Sequence, residues 1–150
     1  MLAQPAFVPL SASALETALA LRRRLYLHED LAWEPAGDAA LLLALIADPS
    51  SGILWLIEVE GQIAGYLLLT FCYSLEFQGR FGLLDEFFIE PAWRGQGLGS
   101  AALAFAETAC RERGLKALRL EVGHANPRAL ELYRRHGFAV EPRHLMTKWL

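Results

Sequence analysis

The chain has 150 residues, of which 54% are hydrophobic and 21% charged, and its formal net charge is −3. This balance argues against a disordered chain and predicts one folded domain over residues 1–150. A net negative charge gives no electrostatic reason to expect nucleic acid as a partner. The longest apolar runs, 41–47 and 63–71, are too short to span a bilayer, and no secretion signal opens the chain. We therefore expect a cytoplasmic protein without a membrane partner.

Neither the cysteines nor the histidines suggest a metal site. Cys72 and Cys110 lack the spacing of metal ligands and are predicted to be free thiols in a reducing compartment. The four histidines show no ligand spacing either. No metal cofactor is predicted.

Seven stretches have the composition of β-strands. Each is short, rich in apolar, aromatic or β-branched residues, and bounded by turn residues. They cover residues 6–10, 53–59, 63–73, 81–89, 117–122, 138–140 and 144–149. Strands precede a central helix and alternate with helices after it. This order predicts an α/β (α+β) fold, with a mixed, mostly antiparallel sheet of about six to seven strands and about four helices on its two faces.

Two helices are expected in the first half of the chain. Ser13 and Glu16 have the spacing of a capping box that opens the first helix. The arginine triplet 22–24 is placed on the exposed side of that helix. Asp38 is predicted to cap a second helix over residues 39–47.

The most informative stretch runs from residue 83 to residue 100. An apolar strand pattern is followed by three alternating glycines, Gly95, Gly97 and Gly99, and then by a helix. The free N–H groups of a first helical turn and the helix dipole attract an anion, and glycines let it approach the backbone closely. Arg94 adds a positive charge. We interpret this stretch as a pyrophosphate cradle.

Two other phosphate-binding loops fit this stretch less well. A kinase-type loop needs a lysine, and Gly99 is followed by Ser100 with no lysine nearby. A dinucleotide fingerprint needs its third glycine one position later, although Glu121 stands where an acidic partner could follow. That fingerprint also usually opens its domain, whereas only about fifty residues follow here.

Two motifs resemble those of the GNAT N-acetyltransferase superfamily. Residues 94–99, Arg-Gly-Gln-Gly-Leu-Gly, are similar to its pyrophosphate loop, Arg/Gln-x-x-Gly-x-Gly/Ala. Residues 126–138 resemble its later motif, Asn-x-x-Ala-x-x-x-Tyr-x-x-x-Gly-Phe. The motifs stand in the family's order. The resemblance implies the GNAT fold, acetyl-CoA as co-substrate, acyltransferase activity toward an amine and, as is common in the family, a homodimer.

The resemblance also implies which residues hold acetyl-CoA. Backbone groups of 87–89 would pair with the pantetheine arm as an added strand would, and the Ile89 N–H would donate to the thioester oxygen as it gains charge. The glycine loop and the start of the later motif would hold the remainder. The implied contacts are Phe87, Phe88, Ile89, Arg94, Gly95, Gln96, Gly97, Leu98, Gly99, Ser100, Asn126, Arg128, Ala129 and Tyr133.

Acetyl transfer to an amine needs a base for the amine and a proton donor for the leaving thiolate. By resemblance Tyr133 is the donor, and a phenol of reference pKa about 10 suits a thiolate of reference pKa about 8.5. Residues 84–89, Leu-Asp-Glu-Phe-Phe-Ile, are similar to Leu-Glu-Asp-Phe-Phe-Val in diamine acetyltransferases, which indicates Asp85 as the base, with Glu86 in reserve. Neighbours on a strand point to opposite faces, so only one can face the acceptor unless a bulge intervenes.

The acceptor is indicated by an acidic and aromatic loop. Residues 28–37 lose the helical period, and in the resembled family the segment between the first two helices shapes the acceptor pocket. The candidate contacts are Tyr26, His28, Glu29, Trp33 and Asp85. They favour a small, polyamine-like primary amine that attacks directly in a ternary complex. A protein lysine or N-terminus as acceptor, and a non-catalytic acyl-CoA sensor, are the alternatives.

Overall fold

The computed structural model describes residues 3–150, and these residues form a mixed sheet in the order β1-β2-β3-β4-β5. Strands β1 to β4 pair in antiparallel fashion, and β5 runs parallel to β4. The strands are β1 Ala6–Pro9, β2 Gly52–Val59, β3 Gln62–Ser74, β4 Gly79–Ile89 and β5 Leu118–Leu120. The helices are α1 Leu15–His28, α2 Asp38–Ala47, α3 Leu98–Glu112 and α4 Pro127–Arg135. No helix within residues 3–150 is both long enough and apolar enough to cross a bilayer.

Two apolar clusters cover the two faces of the sheet. On the face that we call the α3 face, Leu67, Leu69 and Leu84 pack with buried α3 residues such as Leu103. On the opposite face, the α1/α2 face, side chains of β2, β3 and β4 pack with buried residues of both N-terminal helices. The alternation of side chains along each strand separates the two clusters. The predicted mixed, mostly antiparallel sheet with helices on both faces is confirmed.

The two strands predicted near the C-terminus are wrong. The structure gives residues 139–150 no strand or helix, and their large apolar side chains are exposed. Strand formation needs a neighbouring strand whose N–H and C=O groups are free, and an apolar pattern by itself provides none. The sheet among the described residues therefore has five strands.

Both predicted N-caps in the first half are also wrong. Ser13 lies in a 3₁₀ turn, where its hydroxyl pairs with the Ser11 hydroxyl at 2.8 Å and caps no N–H of α1. The residue that caps α2 is Gly37, in the left-handed region at φ 99°, and Asp38 is the first helical residue. The Asp38 side chain is thereby free to bond elsewhere.

Arg22, the first arginine of the triplet, is buried, although the sequence predicted that all three would be exposed. Arg22 is only 9% exposed, whereas Arg23 and Arg24 are exposed. The buried positions of α1 follow the i, i+3, i+4, i+7 pattern of one helical face. They are Ala18, Leu21, Arg22 and Leu25. The helical period therefore places Arg22 on the buried stripe despite its charge.

Candidate active site

The sheet opens between β4 and β5. The two strands pair only over Gly82–Leu84, while β4 continues to pair with β3 as far as Ile89. The last β4–β5 pair is Leu84 with Leu120, so the next residues along the two strands are Asp85 and Glu121. Backbone groups on the open side of residues 85–89 can therefore pair with an extended, amide-bearing ligand.

A β-bulge lies where the sheet opens. Glu86 is opposite Leu68, and Leu84 is opposite the next residue of β3, Leu69, so Asp85 is the extra residue. Because of this insertion, Leu84 joins the α3 face while Glu86 points to the α1/α2 face. Bulges commonly redirect side chains beside active sites. The sequence allowed both carboxylates to face one site if a bulge intervened, but the bulge at Asp85 separates them: Asp85 is exposed and Glu86 is bonded on the α1/α2 face.

Asp85 reaches solvent, but its carboxyl group does not behave as an isolated one. Partial burial raises the pKa of Asp85, and the negative charges of Glu86 and Glu121 raise it further. A higher pKa makes this carboxylate a stronger base. The sequence pattern indicates Glu121 only as a possible acidic partner of a dinucleotide-binding loop. Its position directly after β5 is the signal that could have placed it beside Asp85.

The Glu86 carboxylate is bound by three side chains. Arg22 donates to both of its oxygens, from Nε at 2.9 Å and from Nη2 at 2.8 Å. The Tyr66 hydroxyl donates at 2.8 Å and the Tyr26 hydroxyl at 3.3 Å. Burial, and then the charge of Glu86, raises the pKa of both phenols, which therefore stay protonated and donate. These bonds hold Glu86 away from the opening of the sheet.

Arg22 is held on its other side by α2 and by two aromatic rings. Its Nη1 donates to Asp38 Oδ1. Its guanidinium carbon lies 5.2 Å from the centroid of the Tyr26 ring and 5.9 Å from that of Trp33. Burial lowers the pKa of Arg22, but the hydrogen bonds to Glu86 and Asp38 outweigh it and raise that pKa overall. We call Arg22, Asp38, Glu86, Tyr26 and Tyr66 the arginine cluster.

The four candidates for acceptor contact other than Asp85 separate into two pairs. Tyr26 and Trp33 are half-buried and meet edge to face at 5.3 Å, beside Arg22. His28 and Glu29 are exposed at the end of α1. The charge of Glu29 raises the pKa of Tyr133, so the end of α1 lies near α4.

The glycine loop has the backbone geometry of an anion site. Gly95 and Gly97 adopt left-handed conformations, at φ 74° and 86°, which favour glycine. Gly97 is the N-cap of α3, and no side chain caps this helix start, so the N–H groups of residues 98–100 lack a side-chain partner. Arg94 Nε donates to the Ile89 carbonyl at 2.8 Å and so ties the loop to the end of β4.

Several side chains surround this loop. Arg128 extends over it, with Nη2 3.7 Å from where a Cβ on Gly95 would lie. The Gln96 amide donates to the Ala92 carbonyl at 2.9 Å. Ser100 Oγ lies 3.0 Å from His136 Nε2. Uncapped N–H groups, left-handed glycines and two arginines are features that suit a pyrophosphate group.

The later motif forms α4 and its caps. Asn126 Oδ1 accepts a hydrogen bond from the Ala129 N–H at 3.1 Å and so caps the start of α4. Leu132 packs against α3, where its Cδ2 lies 3.1 Å from where a Cβ on Gly99 would lie. Tyr133 is half-buried, and its ring meets Phe138 edge to face at 5.9 Å. Burial, aided by Glu29, raises the pKa of Tyr133 to about 12, so its hydroxyl stays protonated at neutral pH.

A glycine turn at the start of a helix, beside an opening in a mixed sheet, is the arrangement expected of the acetyltransferases that the two sequence motifs resemble. The family model described as the acetyltransferase (GNAT) family matches residues 17–138. This chain belongs to that family. The expected GNAT fold is thereby confirmed.

Three known proteins illustrate the relationship. Thialysine N-epsilon-acetyltransferase of Bos taurus is 36% identical over 81 residues, or 53% of this chain and 47% of that protein. The match therefore spans about half the length of this curated relative. An integron cassette protein from a salt-marsh metagenome superposes with a TM-score of 0.84 at 29% identity, over 98% of this chain and 90% of that one. A predicted acetyltransferase from Clostridium acetobutylicum, solved with acetyl-CoA, gives 0.80 at 16% identity, over 96% of each chain, and so supports the fold alone.

Proposed function

We propose that residues 1–150 act as a single N-acetyltransferase domain that uses acetyl-CoA to acetylate a primary amine of a small, polyamine-like cation. The observation that carries this proposal is the opening between β4 and β5, with Asp85 at its mouth and the glycine cradle following the same strand. When bound, acetyl-CoA supplies the activated acetyl group. The loop 94–100 would hold its pyrophosphate, and the free edge of residues 87–89 would pair with its pantetheine amides.

The chain's own residues would assist the loss of two protons from the acceptor and stabilise two developing charges. Asp85 takes the first proton from the acceptor ammonium, directly or through water, and so frees the nitrogen lone pair for the new C–N bond. Once that bond has formed, the nitrogen gives up its second proton to water or to the departing thiolate. The Ile89 N–H donates to the carbonyl oxygen as that oxygen gains negative charge. Tyr133 donates a hydrogen bond to the sulfur that leaves with the electrons of the broken C–S bond. With a Tyr133 pKa of about 12 against about 8.5 for a thiol, we expect hydrogen bonding rather than full proton transfer.

The charges around the opening support a cationic acceptor. Asp85 and Glu121 follow the last β4–β5 pair, and Glu29 lies near Tyr133 at the end of α1. A cluster of negative charge raises the local concentration of a cationic substrate. The name of the bovine relative, which specifies the ε-amine of a lysine analogue, is consistent with a small amine of this kind.

The exposed C-terminal segment supports the expected homodimer. Leu145, Met146 and Trp149 are 73%, 88% and 92% exposed, and apolar side chains grouped in this way mark interaction surfaces. Sedimentation velocity would test this part of the proposal, since a monomer at micromolar concentration contradicts it. Cys110 is a buried free thiol, which suits the reducing, cytoplasmic location expected from the sequence.

The test of the proposed activity is thiol release from acetyl-CoA with a panel of polyamines, amino acids, aminoglycosides and lysine peptides. Turnover that is highest with a small amine supports the proposal. A better rate with peptides would replace the small acceptor by a protein. Acetyl-CoA binding by calorimetry without transfer to any amine would favour a sensor, and absence of binding would refute the cradle.

A further inference from the structure

Two adjacent carboxylates lie where the sheet opens, and a proposal for the base must explain why they differ. Asp85 is the bulged residue and reaches solvent, whereas the Glu86 side chain is only 10% exposed. A slip of the whole strand by one residue would expose the buried Leu84 and Phe88, so the apolar residues of β4 fix its register. The bulge at Asp85 is a local change within that register, and it separates the two carboxylates. An interaction with Glu86 can then hold the bulge in the form that exposes Asp85.

Arg22 supplies that interaction. Its guanidinium meets Glu86 with two parallel N–H donors, a geometry that a carboxylate accepts only in one orientation. The Tyr66 hydroxyl, from β3 opposite β4, donates to the same Oε2 atom that accepts from Arg22 Nε. Glu86 is therefore fixed from both α1 and β3.

Arg22 is itself positioned by surroundings that a lysine would not use equally well. The bond to Asp38 at the start of α2 and the faces of Tyr26 and Trp33 orient its planar group. A guanidinium offers five donors in a fixed fork, whereas an ammonium offers none of this planar geometry. The guanidinium thus joins α1, α2 and β4 at one buried point.

Loss of Arg22 would release the Glu86 side chain from its buried ion pair. A buried carboxylate without its partner is strongly unfavourable, so Glu86 would turn toward solvent and disturb the backbone at residue 85. A misplacement of about 1 Å at a reacting group can lower the rate about 10²-fold. The position of Asp85 therefore depends on an arginine of α1 that it does not itself bond.

We infer that Arg22 is the positioning residue that decides which carboxylate of β4 faces the acceptor: it withdraws Glu86 into a buried ion pair and so presents Asp85 at the opening of the sheet. The inference rests on the proposed function, because it assigns the base of that reaction. Arg22 acts through Glu86 and contacts no reacting atom.

The test compares steady-state kinetics of five single variants on the amine that the wild-type protein acetylates best. They are Arg22→Lys, Arg22→Gln, Glu86→Gln, Asp85→Asn and the control Arg23→Gln, an exposed neighbour on the same helix. The pH profile of kcat/KM and the affinity for acetyl-CoA are measured for each, together with thermal unfolding. Arg22→Lys and Glu86→Gln keep the size of the native side chains and serve if Arg22→Gln does not fold.

We expect Arg22→Gln to lower kcat about 10²-fold with unchanged affinity for acetyl-CoA, and Arg22→Lys and Glu86→Gln to lower it less. All three should retain the acid limb of the pH profile, because Asp85 is still present, and only Asp85→Asn should remove it. Arg22→Gln combined with Glu86→Gln should be no worse than Arg22→Gln alone, since both act through one contact.

Four results would overturn the inference while leaving the acetyltransferase intact. They are loss of the acid limb in Glu86→Gln, its retention in Asp85→Asn, additive losses in the double variant, and wild-type kcat in all Arg22 variants. A wild-type protein that transfers acetyl to no amine instead refutes the proposed function, and this inference with it.

Discussion

The α3 face and the α1/α2 face of the sheet are held together by different interactions. The buried cluster on the α3 face consists of hydrophobic side chains, with Cys110 as its most polar member. The α1/α2 face combines an apolar cluster with the arginine cluster, in which one guanidinium faces two carboxylates. The first face supports the glycine cradle at the start of α3. The second supports the bulge at Asp85.

The difference teaches where stability and where specificity reside. Apolar burial stabilises a fold at about 25 cal/mol per Å² without specifying orientation. A buried ion pair often contributes little net stability, because desolvation offsets the attraction, but it fixes side chains in one geometry. In the proposed enzyme, the α3 face would support the co-substrate and the α1/α2 face would orient the residues beside the acceptor.

The largest expected effect comes from Asp85→Asn. Removal of a general base lowers kcat/KM by about 10²–10⁴-fold, and the acid limb of the pH profile should disappear with it. Acetyl-CoA affinity, measured by calorimetry, should be unchanged. An Asp85→Asn variant with full activity would exclude this residue as the base.

The same substitution should not destabilise the protein at pH 7. The pKa of Asp85 is raised in the folded state, so the folded protein binds its proton more readily than the unfolded chain does. Stability therefore falls as pH rises through the interval between the unfolded pKa and the raised folded pKa, and it stays lower above it. Asparagine removes this penalty, so its denaturation midpoint should equal or exceed that of the wild type at pH 7 and converge with it at lower pH.

Tyr133→Phe tests the α4 side of the site. The substitution removes the hydroxyl but keeps the ring contact with Phe138. Loss of one donor to a developing charge lowers kcat about 10²-fold, with little change in stability. Because the pKa of Tyr133 is about 12, wild-type activity should show no loss attributable to its ionisation up to pH 10. Full turnover by Tyr133→Phe would contradict the proposed hydrogen bond to sulfur.

A matched pair of core variants compares the two faces in stability. Arg22→Met leaves Glu86 and Asp38 buried without their partner and should lower the free energy of unfolding by about 3–5 kcal/mol. Leu103→Ala on the α3 face, where Leu103 is 2% exposed, should cost about 2–5 kcal/mol through its cavity. Urea denaturation measures both.

The two variants should separate in activity. Leu103→Ala, if folded at the assay temperature, should keep most of its kcat, whereas Arg22→Met should lose it. Equal losses of kcat would mean that both faces contribute only to the stability of the fold and that neither orients the site.

The smallest expected effects come from glycine to alanine changes at the two ends of α3. Gly97 and Gly114 have φ of 86° and 70°, and no atom lies within 4 Å of an added Cβ at either position. Each substitution should therefore cost about 1–2 kcal/mol from backbone strain alone. Only Gly97→Ala should also weaken acetyl-CoA binding. Equal affinities in the two variants would place the co-substrate elsewhere.

Local signals in the sequence were enough to predict most features on the α3 side of the sheet. Pro127 at the first position of α4, Asn126 as its cap and Gly137 after it are interactions within one segment. The strand, glycine turn and helix start that form the cradle are likewise contiguous in the chain. Such features follow from nearby residues, so a pattern predicts them without knowledge of the fold.

The α1/α2 side was predicted less well because its interactions join distant parts of the chain. Arg22 and Glu86 are 64 residues apart, and Arg22 and Asp38 are 16 apart. A basic triplet on a helix predicts a solvated face, and only the partners reverse that expectation. The prediction of two C-terminal strands was wrong for the same reason. The apolar pattern of this segment could not reveal that no strand of the described residues pairs with it.

By itself the sequence determined the family, the glycine turn at the start of α3 and the two adjacent carboxylates of β4, because motifs and strand patterns are local. Only the tertiary structure decided which carboxylate is withdrawn. The bulge at Asp85 depends on the register between β3 and β4, and the burial of Glu86 depends on an arginine from α1. Both are long-range pairings, and their free energies depend on neighbours that no single stretch of the chain contains.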